Sequence, residues 1–263
     1  MADERWAAKF KGKCVKIRLK NVSKSLSFKE HFNAKAEVLH LLEGINCELD
    51  DGENLAILGQ SGSGKSTLAK LISFSEPKSG GKIYINNEEI TGKNELKKDI
   101  RYILQNQKQA LNPALKVKTA IAHVRSYLKL SFSENELKEL LANLNLKDEI
   151  LEKYPSQLSG GEATRVGILL ALLSKPKILI CDEITSGLDN ETKQKIINLL
   201  LSLDKNISII FITHDILSAM KIAQKVLIIE AGKQVAWGKF EDLASQNVLK
   251  KYLDAAKFYE GKL

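Results

Sequence analysis

Gly59-Gln60-Ser61-Gly62-Ser63-Gly64-Lys65-Ser66 decides how the rest of this chain is read. A short apolar run, Leu55–Leu58 (LAIL), precedes it, and a helical pattern from Thr67 to Ile72 follows it. Strand, glycine-rich loop and helix in that order form the phosphate-binding loop known as a P-loop. Its glycines let consecutive backbone N–H groups point at phosphate oxygens, and the following helix adds the positive end of its dipole. Lys65 is expected to neutralise the β- and γ-phosphates, and Ser66 to offer its hydroxyl to a magnesium ion. Gly59, Gln60, Ser61, Gly62, Ser63, Gly64, Lys65, Ser66 and Thr67 are therefore the expected nucleotide contacts. A glycine-rich turn carrying an incidental lysine is the competing reading, and the flanking strand and helix argue against it.

Two further apolar runs lie downstream. Lys177–Cys181 (KILIC) ends in Asp182-Glu183, and Ile207–Thr213 (ISIIFIT) ends in His214. Continuous apolar strands belong to parallel sheets buried on both faces, where ligands sit at the carboxyl ends of the strands. Asp182 is expected to hold magnesium through its water shell, and Glu183 to polarise the attacking water. A histidine at a strand end is more often a structural cap; its place beside the expected γ-phosphate makes His214 a candidate. A helical pattern from Thr192 to Leu203 separates the two strands, which predicts an α/β core. Val15–Val22 alternates as a half-buried strand should, and Lys82–Ile85 and Asp99–Leu104 read as further strands. Thr119 to Glu152 has helical spacing closed by Pro155, and reads as a helical insertion. Val226–Glu230 and Lys233–Ala236, split by Ala231-Gly232, read as a hairpin.

The chain has 263 residues, 44% hydrophobic and 27% charged, enough for one large domain, or a domain with an inserted lobe, with a real core. The N-terminal stretch MADERWAAKFKGKC lacks the apolar core of a signal peptide. Apolar runs such as Val166–Leu173 are too short to span a bilayer. Cys14, Cys47 and Cys181 have no paired spacing, which argues against a metal or disulfide framework and suits a reducing compartment. The net charge of +8 has two readings: a surface for nucleic acid or anionic lipid, or lysines spread over solvated faces. No block of five basic residues occurs, which favours the second.

Leu158-Ser159-Gly160-Gly161-Glu162 resembles the LSGGQ signature of ATP-binding-cassette proteins, and it lies between the P-loop and the acidic strand as that family requires. Gln105 stands at the family's Q-loop glutamine, Ser186-Gly187-Leu188-Asp189 resembles the D-loop, and Thr213-His214-Asp215 resembles the switch histidine. The resemblance covers nearly the whole chain. It implies a single cassette domain over residues 1–263. The implied architecture is a P-loop NTPase (RecA-like) α/β core, an N-terminal antiparallel β-subdomain and an inserted α-helical subdomain near 106–165. It also implies ATP and Mg2+ as ligands, with Gln105 joining Ser66 and Asp182 around the metal. Glu183, His214 and Gln105 would act in hydrolysis. Two such domains pack head to tail, so Ser159, Gly160, Gly161 and Asp189 would serve the ATP held by a second cassette subunit.

Leu104–Pro113 (LQNQKQALNP) resembles the FQDPxxSLNP stretch of peptide and nickel importers, and Tyr154-Pro155 before the signature fits the same subfamily. Permease subunits, and indirectly a solute-binding protein, are the implied partners, at the cytoplasmic face of the cell membrane. Nucleic acid is not an expected partner; a soluble cassette ATPase acting on nucleic acid or ribosomes is the rival reading, motivated by the charge. This chain departs from the family at Glu162 (glutamine), Gln107 and Ile184 (prolines) and Leu170 (arginine), none of which has a direct part in hydrolysis. The tail also lacks the cysteine-bearing extension of many peptide members. Phe28 is the expected adenine-stacking ring, with Leu26 and Phe32 as alternatives.

Overall fold

Leu55–Leu58 forms strand β3, buried at all four positions, between the strands Lys225–Glu230 and Ser208–Ile212 inside a ten-stranded sheet. The computed structural model describes residues 16–28, 37–91, 99–203, 205–246, 248–250 and 252–254. Cys14, Val15 and Phe32 lie outside the described residues. Strands β1 (Ile17–Phe28), β2 (Glu37–Leu49), β4 (Gly80–Ile85) and β5 (Glu88–Glu89) form an antiparallel half. Strands β6 (Ile100–Ile103), β7 (Ile178–Asp182), β8 (Ser208–Ile212), β3 and β9 (Lys225–Glu230) run parallel, and β10 (Lys233–Lys239) returns antiparallel to β9. The order across the sheet is β5-β4-β1-β2-β10-β9-β3-β8-β7-β6.

The parallel strands read as unbroken apolar runs because successive residues serve opposite layers. On one face Leu55, Ile57, Ile178, Ile180, Ile210 and Ile212 pack with Leu68 and Leu71 of helix α1 (Lys65–Ile72) and with Ile17 and Leu19 of β1. On the other, Leu179, Cys181, Ile209 and Phe211 meet helices α5 (Gly160–Leu173) and α6 (Asn190–Ser202). Ala56, Leu58, Val226 and Ile228 meet α7 (Ile216–Ile222) and α8 (Phe240–Ser245) on that same face. Burial pushes the Cys47 thiol up to about 12 and raises Cys181 further, so both behave as small apolar side chains.

Helices α2 (Gln107–Ala110), α3 (Val117–Tyr127) and α4 (Glu134–Asn143) come between β6 and α5. They are followed by 3-10 turns at Asp148–Glu152 and Pro155–Gln157. Val117, Ile121, Leu140, Leu144 and Ile150 share one core with α5. Ser133 caps α4 in a reciprocal capping box with Glu136. No helix among the described residues is long and apolar enough to cross a membrane.

Strand β2 has no counterpart among the expected strands, although Leu42, Ile45, Cys47 and Leu49 face the core. Its period is broken: the β1–β2 register shifts between Leu19 and Val22 and again before Lys24 and Ser25, where Asn21 and Gly44 adopt positive φ. The expected hairpin is present, with Lys233 opposite Glu230 across the left-handed pair Ala231-Gly232. Its role is wider than a hairpin's. β9 is a central parallel strand beside β3, and β10 joins β2 at Lys233–Glu43, which ties the two halves of the sheet together.

Gln107 fits this fold through a gap in its neighbour. Its side chain is buried, its Nε2 donates to the Leu104 carbonyl at 2.7 Å, and its amide fills the notch at Gly167 on α5. A Cβ at Gly167 would lie 2.2 Å from Gln107 Oε1. Gly167→Ala therefore lowers stability by about 1 kcal/mol net, overpacking outweighing the helix-propensity gain of ~1 kcal/mol. In a Gln107→Ala background the same change becomes stabilising, and a denaturant-unfolding cycle over the four proteins measures that reversal.

Candidate nucleotide site

The loop between β3 and α1 is shaped by close backbone approaches. A side chain on Gly59 would strike the Ile229 carbonyl oxygen, 2.2 Å from its Cβ position, and Gly64 adopts a φ of 106° against Leu42. The Ala231-Gly232 turn buttresses this loop directly, because Gly232 N donates to the Ser63 carbonyl at 3.0 Å. Lys65 opens α1 and is only 4% exposed. Its ammonium group folds back over the loop and donates to the carbonyls of Gly59 (2.9 Å) and Gln60 (2.8 Å). Glu183 Oε1 lies 3.6 Å away. Gln60, Ser61, Gly62 and Ser66 are exposed, while the Ser63 Oγ is buried and lacks a hydrogen-bond partner.

The carboxyl ends of β6, β7 and β8 converge beside that lysine. Gln105 Nε2 donates to Glu183 Oε2 at 3.2 Å, and His214 Nδ1 lies 3.8 Å from the same oxygen. Glu183 holds a left-handed backbone, φ 47°, pinned by its N–H to the Ile212 carbonyl and by Ser186 N to its own carbonyl. Such a conformation in a non-glycine residue stores strain on the order of 1–3 kcal/mol, and strain of this kind collects at functional sites. Ile184, where the family has proline, is buried in the core shared with α5 and α6. Asp182 is 3% exposed; its Oδ2 accepts a 2.6 Å hydrogen bond from the Tyr102 hydroxyl, and its Oδ1 is buried with no partner. A desolvated carboxylate oxygen left unpaired is costly unless a cation meets it, so the donor set fits magnesium. Burial and the Asp182 carboxylate together push the Tyr102 phenol well above its usual range.

Sequence reasoning did not single out Tyr102. Its link to Asp182 depends on β6 lying beside β7, with Tyr102 paired to Ile180 and Asp182 two residues further along the same face. No motif carries that pairing.

Ser159, Gly160, Gly161 and Asp189 form a second group with its own surroundings. Ser159 caps α5: its Oγ accepts from Glu162 N at 3.1 Å, and Glu162 Oε2 accepts from Ser159 N at 2.7 Å. Glu162 thus completes a capping box in the position of the family's glutamine, and it also pairs with Lys153 at 2.9 Å. The Ser159 N–H and then Lys153 hold its carboxyl below the usual range. A Cβ on Gly161 would lie 2.6 Å from Thr192 on α6, and one on Gly160 3.5 Å from Leu188. Asp189 caps α6 by accepting from Thr192 N at 2.9 Å, a bond that holds its carboxyl low. Signature and D-loop are therefore packed together through the first turn of α6. Phe28 closes β1 opposite Glu37, half-exposed, with half-exposed Leu26 opposite Leu39.

Residues 42–186 match the family model described as ABC transporter. The chain belongs to the ATP-binding-cassette family. A methionine import ATP-binding protein of Bacillus cereus is 37% identical over 239 residues, covering 88% of this chain and 68% of the relative. An oligopeptide transport ATP-binding protein of Haemophilus influenzae is 34% identical over 85% of this chain and 69% of its own length. Among solved structures, a dimeric ATP-binding cassette in a post-hydrolysis state with ADP and phosphate superposes with a TM-score of 0.73 at 28% identity. That match covers 85% of this chain and 98% of the other. This cassette is an ATPase that uses ATP with Mg2+, and its architecture is that of a P-loop NTPase.

Proposed function

We propose that this cassette energises import across a membrane, as the ATP-hydrolysing subunit of a transporter for short peptides or methionine. Relatedness to import ATP-binding proteins along 88% and 85% of the chain supports this reading most strongly. Of the cargoes that the Leu104–Pro113 stretch suggests, short peptides are the one these relatives name, and methionine joins them. The subunit pairs with a second cassette, docks on permease subunits at the cytoplasmic face, and receives cargo by way of a solute-binding protein. Residues 106–165 serve as the helical lobe through which Gln105 passes the state of the γ-phosphate to the permease. The net charge of +8 is the sole support for a nucleic-acid partner.

In this reading Lys65, freed from the carbonyls it now holds, takes the β- and γ-phosphates, and the Gly59–Thr67 N–H groups cradle them. Ser66, Asp182 and Gln105 hold magnesium, which when bound withdraws charge from the phosphate oxygens. Glu183 takes a proton from the attacking water, with Gln105 and His214 orienting it from the same carboxylate oxygen. Phe28 lies under the adenine. The first N–H groups of α5 have no acceptor within the helix, and with Ser159, Gly160 and Gly161 they close over the partner's γ-phosphate. Asp189 and the D-loop align that contact.

Uptake of radiolabelled methionine and of di- and tripeptides by a strain lacking this subunit tests the proposal. Loss of one uptake, restored by the wild-type gene and not by a Glu183→Gln version, is expected. Unchanged uptake of both cargoes, with no permease co-purifying, overturns it.

A further inference from the structure

We propose that Tyr102 is the positioning residue for the magnesium-holding carboxylate; this rests on the assignment of Asp182 to that role. Two donors near the end of β6, three residues apart, reach the two adjacent acids that end β7. Tyr102 donates to Asp182 Oδ2 at 2.6 Å, and Gln105 donates to Glu183 Oε2 at 3.2 Å. A phenol can only donate to an ionised carboxylate, so the bond has one polarity and is charge-assisted. It occupies Oδ2 and resists rotation about Cβ–Cγ, leaving the buried, unpartnered Oδ1 as the oxygen still free to meet the magnesium or its water shell. Tyr102 itself sits in the strand register beside Ile180 and packs against the core that carries α1, so the hydroxyl is delivered from a rigid strand. The same strand thus aims both acids: one for the metal, the other for the water.

Outer partners that orient a metal ligand typically change metal affinity by about 10- to 100-fold when removed. Tyr102→Phe deletes only the hydroxyl. The expected result is about a tenfold higher magnesium requirement for binding a fluorescent ATP analogue. Binding without magnesium should be unchanged, and turnover at saturating magnesium should fall far less than the magnesium requirement rises. Tyr102→Met, apolar like its surroundings, should give the same shift, because the hydroxyl and not the ring is at stake; thermal unfolding reports whether either variant folds as the parent does. A purely structural tyrosine would lower the melting temperature and leave the magnesium requirement where it was, which overturns the proposal. Asp182→Asn separates the two layers of the argument. If that variant keeps wild-type magnesium dependence, the assignment of Asp182 fails; if it loses it while Tyr102→Phe does not, the role of Tyr102 alone fails.

Discussion

Glu183→Gln lowers steady-state ATP turnover by about 10²- to 10⁴-fold, the range expected when a positioned general base is removed. The change is nearly isosteric. The glutamine keeps an oxygen able to accept from Gln105, now 3.2 Å from Glu183 Oε2, and keeps the left-handed backbone at φ 47°. What it loses is the negative charge 3.6 Å from Lys65 and 3.8 Å from His214, and with it the ability to take a proton from water. ATP binding should survive or tighten, because one negative charge beside the triphosphate is gone. Two cassettes that close on ATP and cannot hydrolyse it should then accumulate as a dimer. Turnover is measured with the partner subunits present, and the dimer by size-exclusion chromatography with ATP and magnesium. Near-normal turnover would remove Glu183 from the role.

Lys65→Ala should weaken nucleotide binding by on the order of a hundredfold, about 3 kcal/mol, the scale for deleting one partner of a desolvated charge pair. Lys65 is buried, and without nucleotide its ammonium group donates to the carbonyls of Gly59 and Gln60, with Glu183 Oε1 3.6 Å away. Binding exchanges those neutral acceptors for phosphate oxygens, a stronger charge-assisted contact. Alanine loses that gain and also leaves loop carbonyls short of a donor, so a modest fall in stability accompanies the loss of affinity. Titration with a fluorescent ATP analogue reads the first effect and thermal unfolding the second. Wild-type affinity in the variant would mean that the loop backbone alone holds the phosphates.

The parts of the site written within one local element were legible before the fold was known. A P-loop is one strand–turn–helix unit, so GQSGSGKS located itself; β3 and α1 flank it at Leu55–Leu58 and Lys65–Ile72. KILIC and ISIIFIT announced β7 and β8 through continuous apolar runs, and their last residues bring Asp182, Glu183 and His214 to one end of the sheet. Strand β2 escaped because an irregularity at Gly44, between the buried Leu42 and Ile45, interrupts the alternation that marks a strand. Glu162 and Gln107 looked like departures from a pattern until their partners were visible: Ser159 and Lys153 for one, Gly167 for the other.

By itself, then, the sequence determined the strand, glycine-rich loop and helix around GQSGSGKS, the order along the chain of the LSGGE, acidic-strand, SGLD and THD stretches, and the α/β class, since each is carried by neighbours along the chain or by short-period patterning. Only the tertiary structure decided which strands lie side by side. Sheet order comes from packing between segments far apart in sequence, and no local preference encodes it. That order sets β6 against β7 and so puts the Tyr102 hydroxyl on Asp182, and it makes the hairpin at Gly232 a support for the loop at Ser63.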